Sequence, residues 1–346
     1  MLLALLACPV DDPKPADTAP EGAVDADGDG FDVDHDCDDN DAEVYPGATE
    51  VRFNGKDDDC DPATCTAGYF ADEATPLALP AAYGTEGTTP FDQTSSYAAC
   101  GDNTPAHLLA DLGGDGASDL VITFVCGDDE ATGDTRWLVH PATSGGFAEA
   151  AADWGLPGDY GASGAAPFAN ATSTAVCGDG IPAHFTTDLT GDGLPDIVVT
   201  EDCDDAEAGS TYWKVHAGGS TGFDDAPLAW TLPTGFGEPG YPAFDANQGK
   251  GNCALDIPAF ELVDLDGDGA LDLVVTAACD ETTTGDTRWS WYRNTGAGFA
   301  AAAEWALPAS IGDEGDRPFT ASAASASCGE GIPAHVITDL TGDGMV

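Results

Sequence analysis

Four acidic segments recur along the chain with residue types suited to holding a hard cation. Asp111 opens DLGGDGASD, Asp188 opens DLTGDGLPD, Asp264 opens DLDGDGALD and Asp339 opens DLTGDG. Oxygens at alternating positions of a tight, Gly-containing turn can converge on one ion, and Ca²⁺ accepts about six to eight of them with forgiving geometry. Asp264, Asp266, Asp268 and Asp272 make the richest ligand set. In the second loop Thr190 replaces one carboxylate and leaves Asp188, Asp192 and Asp196. In the first, Gly113 removes that ligand, so Asp111, Asp115 and Asp119 should bind most weakly. The fourth segment offers Asp339, Thr341 and Asp343. Asp and Gly also make ordinary turns, but a turn does not require several carboxylates whose mutual repulsion needs compensation.

A further acidic loop lies upstream in DADGDGFDVDHD. There Asp25, Asp27, Asp29 and Asp36 fall at positions one, three, five and twelve of an EF-hand-like loop, with Gly30 at six and the carbonyl of Phe31 at seven. Asp36 stands where a bidentate Glu is usual. The module around it, 24–64, has too small a core to fold unaided, so a covalent bridge plus bound calcium is the expected solution. A disordered acidic linker is the competing reading, because apolar residues there are few.

The elements that position these loops repeat with them. The loops step by 75 to 77 residues, and so do Cys100, Cys177, Cys253 and Cys328, and Cys126, Cys203 and Cys279. Trp137, Trp213 and Trp289 keep the same step, followed by the pairs Gly146-Phe147, Gly222-Phe223 and Gly298-Phe299, and by Trp154, Trp230 and Trp305. Runs such as LVITF, IVVT and LVVTA are β-branched, short and bounded by Gly or Asp, which reads as strand. Four strands per unit are expected, in the third unit at 259–263, 271–277, 287–293 and 299–305. If Asp264 faces Asp272 across the loop, the first hairpin brings Cys253 and Cys279 nearly level. The intra-unit pairs Cys100 with Cys126, Cys177 with Cys203 and Cys253 with Cys279 are then the natural disulfides. Pairing between adjacent units is the competing connectivity, which spacing alone leaves open. Repeating four-stranded sheets must bury their faces against neighbours, and a ring of them, a β-propeller, does so without long exposed edges.

These landmarks divide the chain into 1–8 as a signal, 9–23 as an extended tether, 24–64 as the acidic module, and 65–99 as the back half of a unit. Three repeats at 100–176, 177–252 and 253–327 follow, then 328–346 as the start of a fourth. The chain stops one residue before the last loop Asp, so it reads as truncated and leaves the blade number open. Composition bounds the partners: 63 acidic against 9 basic residues give a net charge of -54. Such a chain cannot assemble the basic stripe that neutralises phosphates, so nucleic acid and anionic membrane surfaces are excluded and cations are favoured. Eleven Cys, seven of them in register, point to an oxidising compartment.

Three resemblances add to this reading. DLDGDGALDLVV, followed by a Trp strand and a Gly-Phe turn, resembles the FG-GAP or VCBS repeat of integrin-like propellers over roughly residues 66–346. That resemblance implies an all-β propeller, side-chain ligands at loop positions one, three, five and nine, and a carbonyl ligand at seven, here Ala270. The units are longer than such repeats usually are. The stretch from Asp36 through Tyr45, Pro46 and Gly47 to Cys60 resembles a metal-binding motif common in secreted bacterial proteins, in which Cys37 and Cys60 look like a disulfide staple. Leu5, Leu6, Ala7 and Cys8 resemble the end of a bacterial lipoprotein signal, which implies lipidation of Cys8 and an outer-membrane anchor; a plain secretory signal is the alternative.

No nucleophile elbow, zincin helix or phosphate-binding Gly loop is present, and no enzyme activity is expected within these residues. His107, His184 and His335 recur four residues before a loop Asp, but Phe260 replaces them in the third unit, which favours strand packing over chemistry. The repeated Trp residues could form glycan platforms, yet their place in every unit favours core packing. The expected function is calcium binding with adhesion or ligand binding to an extracellular protein or glycan. A carbohydrate-binding lectin, a non-catalytic part of a larger extracellular enzyme, and salt-adapted acidity without specific calcium are the alternatives.

Overall fold

The computed structural model describes residues 25–33, 35–38, 40–48, 58–60, 76–85, 87–127, 131–162, 164–237, 241–308, 318–320, 323–324 and 335–336. Two compact units divide the chain, Met1–Thr75 and Pro76–Val346. Cys8, the proposed signal and tether, Cys65, Cys328, and the fourth loop with Asp339, Thr341 and Asp343 lie outside the described residues.

Three five-stranded antiparallel sheets fill the second unit, each a simple meander in chain order. The first holds β1 (Ser95–Ser96), β2 (Ala106–Ala110), β3 (Asp119–Phe124), β4 (Arg136–His140) and β5 (Ala152–Gly155). The second holds β6 (Thr172–Ser173), β7 (Ala183–Thr187), β8 (Asp196–Glu201), β9 (Tyr212–His216) and β10 (Leu228–Thr231). The third holds β11 (Gln248–Asn252), β12 (Ile257–Val263), β13 (Asp272–Ala277), β14 (Arg288–Tyr292) and β15 (Ala303–Ala306). Helical content among the described residues is a three-residue 3-10 turn at Cys100–Asp102. The central strands β3, β8 and β13 are buried over their first five residues, which is why they read as unbroken apolar runs rather than alternating ones.

The sheets differ from the sequence expectation in strand number, in register and in the start of the last strand, which in the third sheet is Ala303 and not 299. Each has five strands rather than four, because β1, β6 and β11 are built from Ser, Thr, Gln, Gly, Lys and Asn and carry no apolar alternation. The hairpin register is also shifted: Asp272 faces Val263, not Asp264, and in the other sheets Asp119 faces Ala110 and Asp196 faces Thr187. Asp264 instead turns into the loop to accept backbone N–H groups, and a bulge between Ala259 and Phe260 later restores a residue.

Neighbouring sheets are joined by the Gly-Phe turns. The Gly155 N–H donates to Thr221 O and the Phe223 N–H to Gly155 O, each at 3.0 Å, so the turn of one unit bonds to the last strand of the unit before it. Gly298 pairs with Thr231 and Gly146 with Ala78 in the same parallel fashion. Glycine is required: at Gly146, with φ of 134°, a Cβ would come within 2.2 Å of the Ala78 backbone. In the second and third turns the Phe that follows enters the preceding sheet, Phe223 edge-on to Trp137 and Trp154, and Phe299 edge-on to Trp213 and Trp230. The indole N–H of Trp137, Trp213 and Trp289 donates to Phe168 O, Phe244 O and Phe319 O, each at 2.7 Å. Trp137, Trp213 and Trp289 are therefore core residues whose polar atom is satisfied, and they are not exposed platforms.

The first unit is small. Phe31 stacks on Tyr45 with ring centroids 5.6 Å apart, and Val44 is buried. The Tyr45 N–H donates to Asp58 O, and Cys37 is disulfide-bonded to Cys60.

Candidate metal centres

The loop at Asp25 is organised by its own backbone. Asp25 accepts the Gly28 N–H at 2.6 Å on Oδ1 and the Gly30 N–H at 3.1 Å on Oδ2. Asp27, Asp29 and Asp36 each accept on Oδ1 the N–H two residues ahead. Their Oδ2 atoms are left buried with no partner, three carboxylate oxygens in one small loop. Ligand atoms of Asp25, Asp27 and Asp29 lie within 4.8 Å of one another. Desolvation, followed by repulsion from Asp29, Asp36 and Asp25, holds the Asp27 carboxyl above its ordinary value against the pull of the Asp29 N–H. Buried, unpaired anionic oxygens are costly unless a cation supplies the missing contact, so the donor set fits a hard divalent ion. Asp36, Cys37 and Cys60 also converge, but the two sulfurs are bonded to each other and offer no thiolate.

The repeat loops use the same local design. Asp264 accepts the Gly267 and Gly269 N–H groups at 2.8 and 2.9 Å, and Asp188 accepts those of Gly191 and Gly193 at 2.7 and 2.8 Å. Asp111 accepts the Asp115 and Gly116 N–H groups at 3.2 and 2.7 Å. At position five, Asp115, Asp192 and Asp268 accept the N–H groups of Ala117, Leu194 and Ala270. The last Asp of each loop opens a central strand, is buried, and ties the loop to the turn after the Trp strand. The N–H groups of Ala142, Gly218 and Asn294 donate to Oδ1 of Asp119, Asp196 and Asp272 at 2.9, 2.9 and 2.7 Å. Burial raises the Asp196 and Asp272 carboxyls, and these N–H bonds oppose the rise.

The loops differ in what they gather. Asp264, Asp266 and Asp272 bring ligand atoms within 4.8 Å, and Asp266 Oδ1 is buried without a partner. The first and second loops do not assemble three such atoms among the described residues. Asp268 is drawn elsewhere: Arg293 Nη2 lies 2.7 Å from its Oδ2, while Arg293 Nε lies 2.7 Å from Asp266 Oδ2. Sequence reasoning missed Arg293, and also Trp291, whose Nε1 donates to Asp272 Oδ2 at 2.8 Å. The available signal was positional, because the first two repeats have Pro141 and Ala217 where the third has Arg293, and Val139 and Val215 where it has Trp291.

Below each loop the disulfides run within a unit, Cys100 to Cys126, Cys177 to Cys203 and Cys253 to Cys279. Of the recurring histidines, His107 and His184 are packing elements. His107 and His184 contact Gln93 O and Asn170 O through Nε2, and both stand edge-on to a Phe, as Phe260 does to Phe244. A second His set links units, with His140 bonded to Tyr83 and His216 to Tyr160, each across more than fifty residues. No helix among the described residues is long and apolar enough to cross a membrane.

Comparison with known proteins yields one motif. A family model described as "Putative metal-binding motif" (Cu-binding MopE) matches residues 36–64. No FG-GAP or VCBS repeat model matches the repeats. No curated protein matches the chain. Among solved structures, the chain is 21% identical to part of the Photorhabdus luminescens Tc holotoxin pore, with a TM-score of 0.35 over 59% of this chain and 7% of that one. It is 20% identical to an Agrocybe aegerita lectin whose description concerns recognition of non-reducing terminal N-acetylglucosamine, with a TM-score of 0.31 over 57% of this chain and 38% of that one. The chain thus spans well under half the length of either structure.

Proposed function

We propose that this is a calcium-binding, secreted or surface-anchored bacterial repeat protein whose three sheets are successive blades of a β-propeller, and whose loops present a surface for adhesion or ligand binding. The observation that carries the metal assignment is the set of buried carboxylate oxygens without partners, on Asp27, Asp29 and Asp36 and again on Asp266. Asp25, Asp27, Asp29 and Asp36, with the Phe31 carbonyl, would hold one ion; Asp264, Asp266, Asp268 and Asp272, with the Ala270 carbonyl, would hold another. Calcium supplies charge neutralisation there, not reaction chemistry. The repeated latch through Gly-Phe turns, and the contact it makes to Ala78, support sheets that stack in series. Neighbouring loops share one rim: Asn294 Nδ2 reaches Leu189 O at 2.9 Å, and a Cβ on Gly191 would meet Ala270 at 3.7 Å.

Calorimetric melting of the oxidised full chain in calcium, in EDTA, and in EDTA with high NaCl tests this reading. Each site at a hundredfold excess over its Kd should add about 2.7 kcal/mol. Equal curves in calcium and EDTA, or full replacement of calcium by NaCl, would reject specific binding and favour salt-adapted acidity.

A glycan ligand is a second reading, favoured by one cleft of about 390 Å³ lined by Gln93, Ser95, Tyr97, His107, Asn170 and Thr172. Tyr97 is 73% exposed there, an aromatic face beside amide and hydroxyl groups. Loss of glycan-array binding in Tyr97→Ala would support it; array binding unchanged by that substitution would oppose it.

A further inference from the structure

We propose that Arg293 is a tethered cation that competes with the divalent ion at the third repeat loop, so that the loop richest in carboxylates is a switchable, lower-affinity site. This rests on the calcium reading above and assigns a regulator to one of its sites. The guanidinium fork spans loop positions three and five, with 2.7 Å contacts to Oδ2 of both Asp266 and Asp268. Those two carboxylates are 19% and 31% exposed, while Arg293 itself is 51% exposed and can swing into solvent.

One guanidinium cannot replace the ion it displaces. It donates in a plane to one edge of the loop and leaves Asp266 Oδ1 buried and unpaired on the other side. A divalent ion would collect that oxygen together with Asp264, Asp272 and the freed oxygens of Asp266 and Asp268. Binding therefore exchanges one tethered charge for one ion of twice that charge, and moves the Arg293 side chain off the rim. The first two repeats have Pro141 and Ala217 in that place and hold no such competitor. The third loop then combines the most ligands with an internal rival, and its occupancy depends on calcium over a higher range than its ligand count suggests.

The test uses the oxidised full chain and Tb³⁺, displaced by Ca²⁺, with excitation of tryptophan. Trp291 touches Asp272 and is peculiar to the third repeat, so the component lost in Asp266→Asn/Asp268→Asn is the third-loop signal. Arg293→Met should tighten calcium at this component by roughly tenfold, the scale of two charge-assisted contacts on a half-exposed side chain. Arg293→Lys, which keeps charge but not the fork, should fall between. Near-UV circular dichroism confirms that each variant keeps its packing. Equal or weaker affinity in Arg293→Met overturns the competitor role while leaving the calcium reading intact. A folded protein in which no variant gives a calcium-displaceable signal overturns the third-loop site itself.

Discussion

Phe223 stands edge-on to Trp137 with ring centroids 5.3 Å apart, although the two residues lie 86 positions apart and belong to successive repeats. The same ring also meets Trp154 at 6.2 Å, so one Phe fills the space between both tryptophans of the sheet before it. Phe223 is 7% exposed, and its truncation leaves a cavity at the seam between units. Phe223→Ala should therefore cost about 3–5 kcal/mol, read from the midpoint of urea unfolding. A change below about 1 kcal/mol would mean that the sheets are stable independently of this seam.

The first loop lacks a ligand that can be restored. A Cβ on Gly113 would lie 3.8 Å from Asp119 Oδ2 and 4.0 Å from Asp111 Oδ1, in ordinary contact and without a positive φ to strain. Gly113→Asp should widen the gap between melting temperatures in calcium and in EDTA, and should lower stability slightly in EDTA through added repulsion. A uniform shift in both conditions would show that position three of this loop does not face an ion.

Each disulfide of the three repeats closes the mouth of a loop hairpin. Replacing Cys177 and Cys203 together by Ala should destabilise the chain by about 2–4 kcal/mol in oxidising buffer. The sequence separation of 26 is the same in all three repeats, so equivalent pairs should give similar losses in the same unfolding assay. Greatly unequal losses would point to strain or residual structure rather than loop closure.

His184 and His216 should each subtract stability as the solution is acidified below about pH 6.5, against the opposite contribution of the raised Asp196 and Asp272 carboxyls at lower pH. Burial lowers the His184 imidazole below its ordinary value, while its contacts to Asn170 O and Pro182 O oppose this; burial lowers His216 likewise, against its bond to Asp224 O. The unfolded chain takes these protons first, so between the ordinary value and the lower folded one it binds more protons than the native state, and stability is lost as pH falls. His184→Phe copies the third repeat, where Phe260 meets Phe244 at the 4.9 Å that separates His184 from Phe168. The variant should show a shallower decline of melting temperature between pH 7 and 5. An unchanged slope would place the proton uptake elsewhere.

Much of the architecture was legible because the chain repeats it. The recurrence of loop, Cys, Trp and Gly-Phe at one step located β2 to β4 and their counterparts, and the hairpin spacing favoured disulfides within units. The last strand of the third sheet, expected from 299, begins at Ala303 because Phe299 belongs to the latch turn. The first strand of each sheet was hidden because its polar side chains carry no burial pattern; β1, β6 and β11 exist through main-chain pairing with an apolar neighbour. The register at the loops was missed by one residue because Asp264 satisfies Gly267 and Gly269 instead of extending the ladder.

The sequence by itself determined the local chemistry: which loops carry carboxylates at alternating positions, and where glycine lets a turn close around them. Those properties depend on residues a few positions apart. Only the tertiary structure decided which carboxylate oxygens are buried without a partner, that Phe223 crosses into the previous sheet, and that Arg293 reaches Asp266 and Asp268. These depend on groups brought together by strand pairing and sheet packing, and the charge balance at a site is set by every group within a few ångströms, whatever its distance along the chain.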